Sequence, residues 1–595
     1  MRTLTKRLAI EPLTLAHVDE LIGLTDPLMN AHFPAGDAPT DLHMLRSQFE
    51  AMLAGLAQPR PGDRFRNHAV RRIDTGHCIG RLEAFGHGNA ERDAEIAFLF
   101  VPESWGFGYA SEAVQWLLNH VAAEHDVLRF WACVTPSNQR SLALLHRLDF
   151  SVAGQDQRPN LASHEDGDVV LMQQFSPARS YATRSHHSPS GSLPMTDTPW
   201  TARPTHRDWL MGKANALFDL FQHNAVNPKG GFFDLDAAGK PYGNLRQIHA
   251  TARMVHCFAL GEKLGRPGSA TSVDHGMRFL WEDHRDQKHG GYCWSLDNDG
   301  YKDDSKQAYG HAFVLLAASD AKLMGHPLAD RMLADITEIL ETRFWEERHG
   351  AVSEEYARDW SKITDYRGQN SNMHLTEALM AAFEATGESH YLDKAKRIAA
   401  MIIGRHAASL DYVVAEHFDS SWNIDKAYKG SDMFRPAGTT PGHWLEWSRL
   451  MAQLWVLDGR KEAWHIAAAQ KLFRSAVTRG WDKEKGGFWY TLDFDNHPAL
   501  THKIWWPATE AIGAAAFLSA LKPDPFLEEW YRKVWDFSAS YFIDPANGGW
   551  YGELGDDLKP IDKFFTGKPD IYHALQACLI PLYPATGSLM RAIGA

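Results

Sequence analysis

In the C-terminal two-thirds of this 595-residue chain, histidine, glutamate and arginine recur at the starts of segments with helical spacing. In Pro441-Gly-His-Trp-Leu-Glu-Trp-Ser-Arg449, His443 and Glu446 stand three residues apart. A helix brings such a pair to one face, where the carboxylate can orient the imidazole and raise its basicity. Gly567-Lys-Pro-Asp-Ile-Tyr-His-Ala-Leu-Gln576 sets His573 at the start of the last helical stretch. Arg246-Gln-Ile-His-Ala-Thr-Ala-Arg253, Asn370-Ser-Asn-Met-His-Leu-Thr-Glu377 and Trp505-Trp-Pro-Ala-Thr-Glu510 add Arg253, His374 and Glu510 by the same logic. Imidazoles that titrate near neutrality, set beside Arg, Glu and Trp, suit proton transfer on a polar ligand such as a sugar better than an oily core. His-x-x-Glu can also ligate a divalent ion, but these segments form no clear ligand set and no metal is expected.

What positions these side chains is a repeat. Six times, at a period of roughly 60 residues, the chain returns to a short turn of small, aromatic and acidic residues. The copies are Lys229-Gly-Gly-Phe-Phe-Asp234, His289-Gly-Gly-Tyr292, His349-Gly-Ala-Val352, Asp411-Tyr-Val-Val-Ala-Glu416, Lys485-Gly-Gly-Phe-Trp489 and Asn547-Gly-Gly-Trp550. A Gly-Gly pair supplies the positive φ of a tight hairpin, yet two of the six copies lack it. Between turns, apolar residues fall at i, i+3, i+4 and i+7 over Arg246 to Leu264, Tyr309 to Met324, Asn372 to Thr386, His443 to Leu457 and Ala508 to Leu521. Six helix pairs joined by such hairpins predict an all-α (α/α)6 barrel with its loops gathered at one mouth.

The chain is too long for a single core, so at least two domains are expected. Residues 1–175 mix strand and helix patterns, 176–199 form a Ser-, Pro- and His-rich linker, and 200–595 carry the repeat. Met1 to Ile22 holds no apolar run long enough for a signal peptide or a span. Five cysteines without a CxxC pair fit a reducing compartment, and a formal charge of -13 argues against a nucleic-acid surface. The expectation is a cytoplasmic protein with no nucleic-acid or membrane partner.

In the N-terminal part a strand, Ala94-Glu-Ile-Ala-Phe-Leu-Phe-Val101, runs through Pro102-Glu-Ser-Trp-Gly-Phe-Gly-Tyr-Ala-Ser-Glu-Ala113 into a helix ending near Glu124. Free N–H groups at such a turn, backed by the helix dipole, suit an anion such as pyrophosphate. A second strand, Arg129 to Val134, leads to Thr135-Pro-Ser-Asn-Gln-Arg-Ser-Leu-Ala-Leu-Leu-His-Arg-Leu-Asp-Phe150. These two segments, in this order, resemble the GNAT acyl-CoA N-acyltransferases, an α/β fold. The resemblance implies that Trp105, Gly106, Phe107, Gly108, Tyr109 and Ala110 hold the acetyl-CoA pyrophosphate. It also implies that Asn138 faces the pantetheine arm, and that an acceptor amine of unspecified identity takes the acetyl group. Glu83 and Glu95 are candidate bases.

Asn370 to Glu377, Arg435-Pro-Ala-Gly-Thr-Thr-Pro-Gly-His443 through Arg449, and Gly567 to Gln576 resemble the N-acylglucosamine 2-epimerase superfamily, most of all its mannose isomerase and sulfoquinovose isomerase branch. That likeness implies a cofactor-free interconversion of aldose and ketose through a cis-enediol, with His443 and His573 as the acid/base pair. It implies that Arg253, Asn370, His374 and Glu446 hold the sugar, with Tyr309, Arg435, Trp506 and Glu510 beside them. Arg253 suits the oxygens of a developing enediolate. His573 is assigned the C2 proton and His443 ring opening, an assignment that can be exchanged. A 2-epimerase, an inverting glycoside hydrolase built on Glu446 and Glu510, and a non-catalytic sugar-binding module are the competing readings.

Overall fold

The computed structural model describes residues 3–174, apart from 6, 27–28, 30–37, 58–66, 88–89, 106, 126, 137, 149, 155–160 and 162–166, and residues 198–594, apart from 432 and 434. Most of the expected linker, 176–197, lies outside the described residues. The described residues fall into two compact units. Among them no helix is long and apolar enough to cross a membrane.

The N-terminal unit is an eight-stranded sheet: β1 (Thr3–Leu4), β2 (Leu8–Pro12), β3 (His68–Arg72), β4 (Cys78–His87), β5 (Ala90–Phe100), β6 (Arg129–Val134), β7 (Ser151–Val152) and β8 (Val169–Gln174), in the order β1-β2-β3-β4-β5-β6-β8-β7. Helices α1 (Leu42–Ala57), α2 (Tyr109–His125) and α3 (Gln139–Arg147) complete it. Every pairing is antiparallel except β5 with β6. That parallel pairing runs only from Asp93 opposite Arg129 to Glu95 opposite Trp131, so the far half of β5 has no partner on this side. The sheet opens there, next to the turn that leads into α2.

The C-terminal unit is built from helix pairs: α4 (Pro204–Asn224), α5 (Ile248–Lys263), α6 (Ser269–Phe279), α7 (Ala308–Leu323), α8 (Ala329–Ile339), α9 (Gln369–Thr386), α10 (Ser389–Ala399), α11 (Pro441–Leu457), α12 (Ala463–Arg479), α13 (Trp505–Leu521), α14 (Pro525–Phe537) and α15 (Ile571–Leu579). The five helical patterns read from the sequence fall on α5, α7, α9, α11 and α13, with starts shifted by at most three residues. Composition separates two kinds of helix. In α13 every residue from Trp505 to Leu518 is buried, and α7 and α11 are buried almost as fully. By contrast α14 buries only Leu527, Tyr531, Val534, Trp535 and Phe537, an amphipathic stripe with the rest facing water. Helices apolar on all sides must lie inside. Accordingly α5 packs on α7, α7 on α9, α9 on α11, α11 on α13, α13 on α15, and α15 back on α5.

The hairpins carry the backbone strain that the repeat predicts. Gly230, Gly231, Gly290, Gly291, Gly350, Gly486, Gly487, Gly548 and Gly549 all have positive φ. In the fourth copy, where glycine is missing, Asp411 (φ 53°) and Tyr412 (φ 61°) adopt the same conformation. A buried ion pair then ties three of the hairpins to the extended segment before the next inner helix. Asp286 meets Lys306 at 3.2 Å, Asp482 meets Lys503 at 2.9 Å, and Asp544 meets Lys568. In each, the carboxylate also accepts backbone N–H groups of its own turn. One acidic side chain thereby fixes both the turn and the entry to the next inner helix. The pair does so at the cost of burying two charges, and desolvation pushes the Lys503 ammonium down to about 8.

Candidate active site

His443 is the third residue of α11 and His573 the third of α15. Helical side chains lean toward the N-terminus, so both imidazoles reach back over the loops that precede their helices. Between them stands Trp506, from the first turn of α13. Its ring centroid lies 4.8 Å from that of His443 and 6.0 Å from that of His573. Gly442 makes this possible, because a Cβ there would stand 2.3 Å from the Trp506 ring.

Each histidine is bound to a carboxylate through Nδ1. His573 Nδ1 lies 2.8 Å from Glu510 Oε1. His443 Nδ1 lies 3.0 and 2.9 Å from the two oxygens of Glu416. Glu416 also accepts from Gln369 Nε2 at 2.8 Å and from the Thr440 N–H at 3.2 Å, and Gln369 in turn accepts from Trp447 Nε1 at 2.7 Å. Burial works to raise the Glu416 carboxyl, but the His443 ring and Gln369 outweigh it and hold it below the usual range. A carboxylate on Nδ1 fixes the tautomer that carries its proton there, leaving Nε2 as the base. Glu446 is therefore not the group that orients His443, contrary to the spacing argument. The ring leans away from the residue one turn ahead and onto the preceding loop.

Glu446 instead faces His374, with Nδ1 to Oε1 at 3.6 Å, and Arg449, at 3.8 Å. Both of its oxygens, and Asn370 Oδ1, are buried without a hydrogen-bond partner among the described residues. Burial, and then the neighbouring Glu510 and Glu377 carboxylates, raise the Glu446 carboxyl well above its usual range, which favours the protonated form that can donate. Burial, followed by the Arg253 charge and the His573 ring, outweighs the Glu377 contact and pushes the His374 imidazole down to about 3. His374 is thus neutral. Arg253 donates to Asp570 at 2.9 Å and to the Tyr309 hydroxyl at 2.8 Å, and its guanidinium lies over the rings of Phe313 and Tyr572. Burial raises the Tyr309 hydroxyl to about 12.

Below these side chains Arg449 ties the network together, donating to Glu510 and to Glu377 at 3.2 Å each. Glu377 also accepts from the Tyr572 hydroxyl. His374, Glu377 and Glu446 bring three potential ligand atoms within 4.8 Å of one another. Arg449 contacts the side chains of both Glu377 and Glu446, at 3.2 and 3.8 Å. Arg435 stands in a neighbouring cluster, 3.3 Å from Glu355 and 4.7 Å over the Tyr366 ring. It connects to α9 through Glu354, which accepts from Ser371 at 2.7 Å.

Sequence reasoning missed Glu416, Gln369, Asp570 and Arg449 as members of the site. Each was within sight: Glu416 closes the fourth turn, Asp570 precedes His573 by three residues, and Arg449 ends the segment containing His443.

In the N-terminal unit Gly108 has φ 73° and its loop is held from β2's side of the sheet. Arg7 donates to the Phe107 carbonyl at 2.7 Å and to Glu112 at 2.7 Å, and Thr5 donates to the same carboxylate at 2.6 Å. Tyr109 is buried under the guanidinium groups of Arg7 and Arg72. Trp105 donates to the Phe100 carbonyl at 2.7 Å and lies under Arg140, while Ala110 is the second residue of α2. Gly106 lies outside the described residues. Asn138 caps α3, accepting from the Ser141 N–H at 3.1 Å. Of the two candidate bases, Glu83 is paired with Arg81 at 2.5 Å and Glu95 is fully buried.

A family model described as N-acylglucosamine 2-epimerase (GlcNAc 2-epimerase) matches residues 230–577, and one described as an acetyltransferase (GNAT) domain matches residues 7–151. The chain belongs to the N-acylglucosamine 2-epimerase family, a class of sugar isomerases and epimerases, and carries a GNAT acetyltransferase domain at its N-terminal end. A D-mannose isomerase of Thermobifida fusca is 42% identical over 404 residues, covering 67% of this chain and 99% of that protein. A D-mannose isomerase of Pseudomonas cannabina pv. alisalensis is 39% identical over 407 residues, covering 67% and 98%. A crystal structure of D-mannose isomerase shares 33% identity at a TM-score of 0.60, over 66% of this chain and 99% of that one.

Proposed function

We propose that residues 200–595 form a closed (α/α)6 barrel that interconverts a free aldohexose of the mannose type and its ketose through a cis-enediol, without a bound cofactor. The observation that carries the reading is the pair of imidazoles, each bound at Nδ1 to its own carboxylate, on either side of Trp506. The named activity of the two relatives supports mannose as the sugar. In this reading the Nε2 atom of His573 takes the C2 proton, exchanges it with solvent and delivers a proton to C1, while His443 serves the ring oxygen as the pyranose opens. As either imidazole gains a proton, its carboxylate stabilises the cation. Arg253 and the Tyr309 hydroxyl balance the charge on the enediolate oxygens, and neutral Glu446 and Asn370 offer hydrogen bonds to the remaining hydroxyls. Trp506 supplies the apolar face on which the sugar lies.

Residues 1–175 are proposed to transfer an acetyl group from acetyl-CoA to an amine. The pyrophosphate would lie on the 105–110 loop and the pantetheine arm in the opening between β5 and β6. Residues 176–199 link the two activities, and the cytoplasm, which supplies acetyl-CoA and free hexose together, is the proposed compartment.

The test is incubation with mannose in deuterium oxide, followed by NMR. Fructose with deuterium from solvent at C1 is the expected product. Glucose would make the protein a 2-epimerase, and unchanged mannose with measurable binding would reduce it to a sugar-binding module.

A further inference from the structure

Behind the sugar site, further along the same inner helices, is a second cavity, in which polar side chains stand among apolar ones such as Leu316 and Phe517. On α11, Gln453 lies ten residues beyond His443, about 15 Å along the helix axis. The cavity has a volume of about 40 Å³ and is lined by His256, Asp320, Glu377, Arg449, Gln453 and Gln576 among others, with the C-terminal stretch Tyr583 to Ala592 on its remaining side. Three of the lining residues have a side-chain nitrogen that is buried without a hydrogen-bond partner among the described residues: Gln576 Nε2, His256 Nε2 and Arg449 Nη2, the last of which also stands 3.8 Å from Glu446 Oε1. The three residues are at most 6% exposed.

These atoms are of complementary kinds. Arg449 Nη2 and Gln576 Nε2 can only donate. His256 Nδ1 is bound to Asp320 Oδ2 at 2.6 Å, and a ring that carries its proton on that bond presents Nε2 as an acceptor. An anion is disfavoured by the Asp320 and Glu377 carboxylates in the wall, and a cation by Arg449. A sugar or a nucleotide phosphate is too large, whereas one water needs roughly 10–15 Å³ of such space and two to four polar partners. We propose that this cavity is a built hydration site, holding about two or three ordered waters that accept from Arg449 Nη2 and Gln576 Nε2 and donate to His256 Nε2.

The waters have a task. The other two arms of the Arg449 guanidinium grip Glu510 and Glu377, and Glu510 holds His573. With Nη2 bridged to water the guanidinium is anchored on all its edges, and the plane that aligns Glu510 is fixed from behind.

A high-resolution crystal structure of the full chain, grown with sodium bromide in place of chloride, tests the assignment. Uncharged solvent density within hydrogen-bond distance of Arg449 Nη2 and Gln576 Nε2 is expected. A dry cavity, or an anomalous bromide peak in it, overturns the proposal. The Gln576→Leu variant is expected to lose the water nearest Gln576 and to lower kcat about threefold at unchanged KM. Density in the variant identical to that in the parent would overturn the role of Gln576. The kcat readout rests on the isomerase reading, whereas the density does not, so failure of one is distinguishable from failure of the other.

Discussion

Replacing Glu416 by Gln tests the proposed chemistry at the point where the structure departs most from the sequence argument. The substitution keeps the shape of a side chain that is 4% exposed and removes only its charge. Gln369 stays fixed by Trp447 Nε1, and the new amide oxygen can still accept from Gln369 Nε2, so one of the two anchors of the loop is kept while the Thr440 N–H contact is given up. What is lost is the charge-assisted hydrogen bond to His443, spanning 2.9 Å. Such a bond contributes about 1.5–3 kcal/mol, and more of it is realised once the imidazole has gained a proton in the transition state. A loss of about 2–3 kcal/mol corresponds to roughly 30- to 150-fold in kcat. KM is expected to change little, because no atom facing the sugar has moved. The assay is conversion of mannose to fructose followed by NMR, with the melting temperature measured in parallel. A Glu416→Gln enzyme within threefold of the parent in kcat would refute the reasoning. So would a fall in kcat matched by a collapse in melting temperature, which would make Glu416 a strut for the loop and nothing more.

His573→Ala is expected to lower kcat by at least about 100-fold and to abolish solvent deuterium exchange at C2 while leaving mannose binding measurable; retained exchange would transfer the C2 proton to His443. Burial pushes the Glu384 carboxyl, which accepts from the Ser588 N–H, from 4.5 up to about 7. Its folded-state pKa is raised, so its contribution is fully present below 4.5 and is lost as pH climbs through 7. The loss amounts to about 3 kcal/mol. Urea melts of Glu384→Gln against the parent should therefore diverge in favour of the variant across that window, and parallel curves would dismiss the idea. In the N-terminal unit Arg7→Ala frees the Phe107 carbonyl and Glu112 at a half-exposed site, so acetyl-CoA binding by calorimetry should weaken by about fivefold, or about 1 kcal/mol. An unchanged Kd would mean that the loop keeps its form without that arginine.

What the sequence made legible, and what it hid, divides along a physical line. Local periodicity is written in adjacent residues, so the helices α5, α7, α9, α11 and α13 and the six turns, two of them without a double glycine, could be read directly. The fourth hairpin shows that positive φ is a property of the turn rather than of glycine, since Asp411 and Tyr412 accept it where the fold demands it. The Asp–Lys clamps were invisible because their partners are some twenty residues apart in sequence and meet only once a helix pair has closed. The site followed the same division. Its histidines were found, but the i, i+3 rule handed His443 to Glu446, a rule that holds for side chains in mid-helix with a turn on either side. At the first turn the Cα–Cβ bonds lean outward past the helix end, so a residue there looks to whatever chain crosses in front of it. For His443 that chain is the end of the fourth turn, carrying Glu416, and for His573 it is the start of α13, carrying Trp506 and Glu510. Catalytic imidazoles at helix starts are thus partnered across the ring rather than along their own helices, and this is why neither histidine's carboxylate lies close to it in sequence.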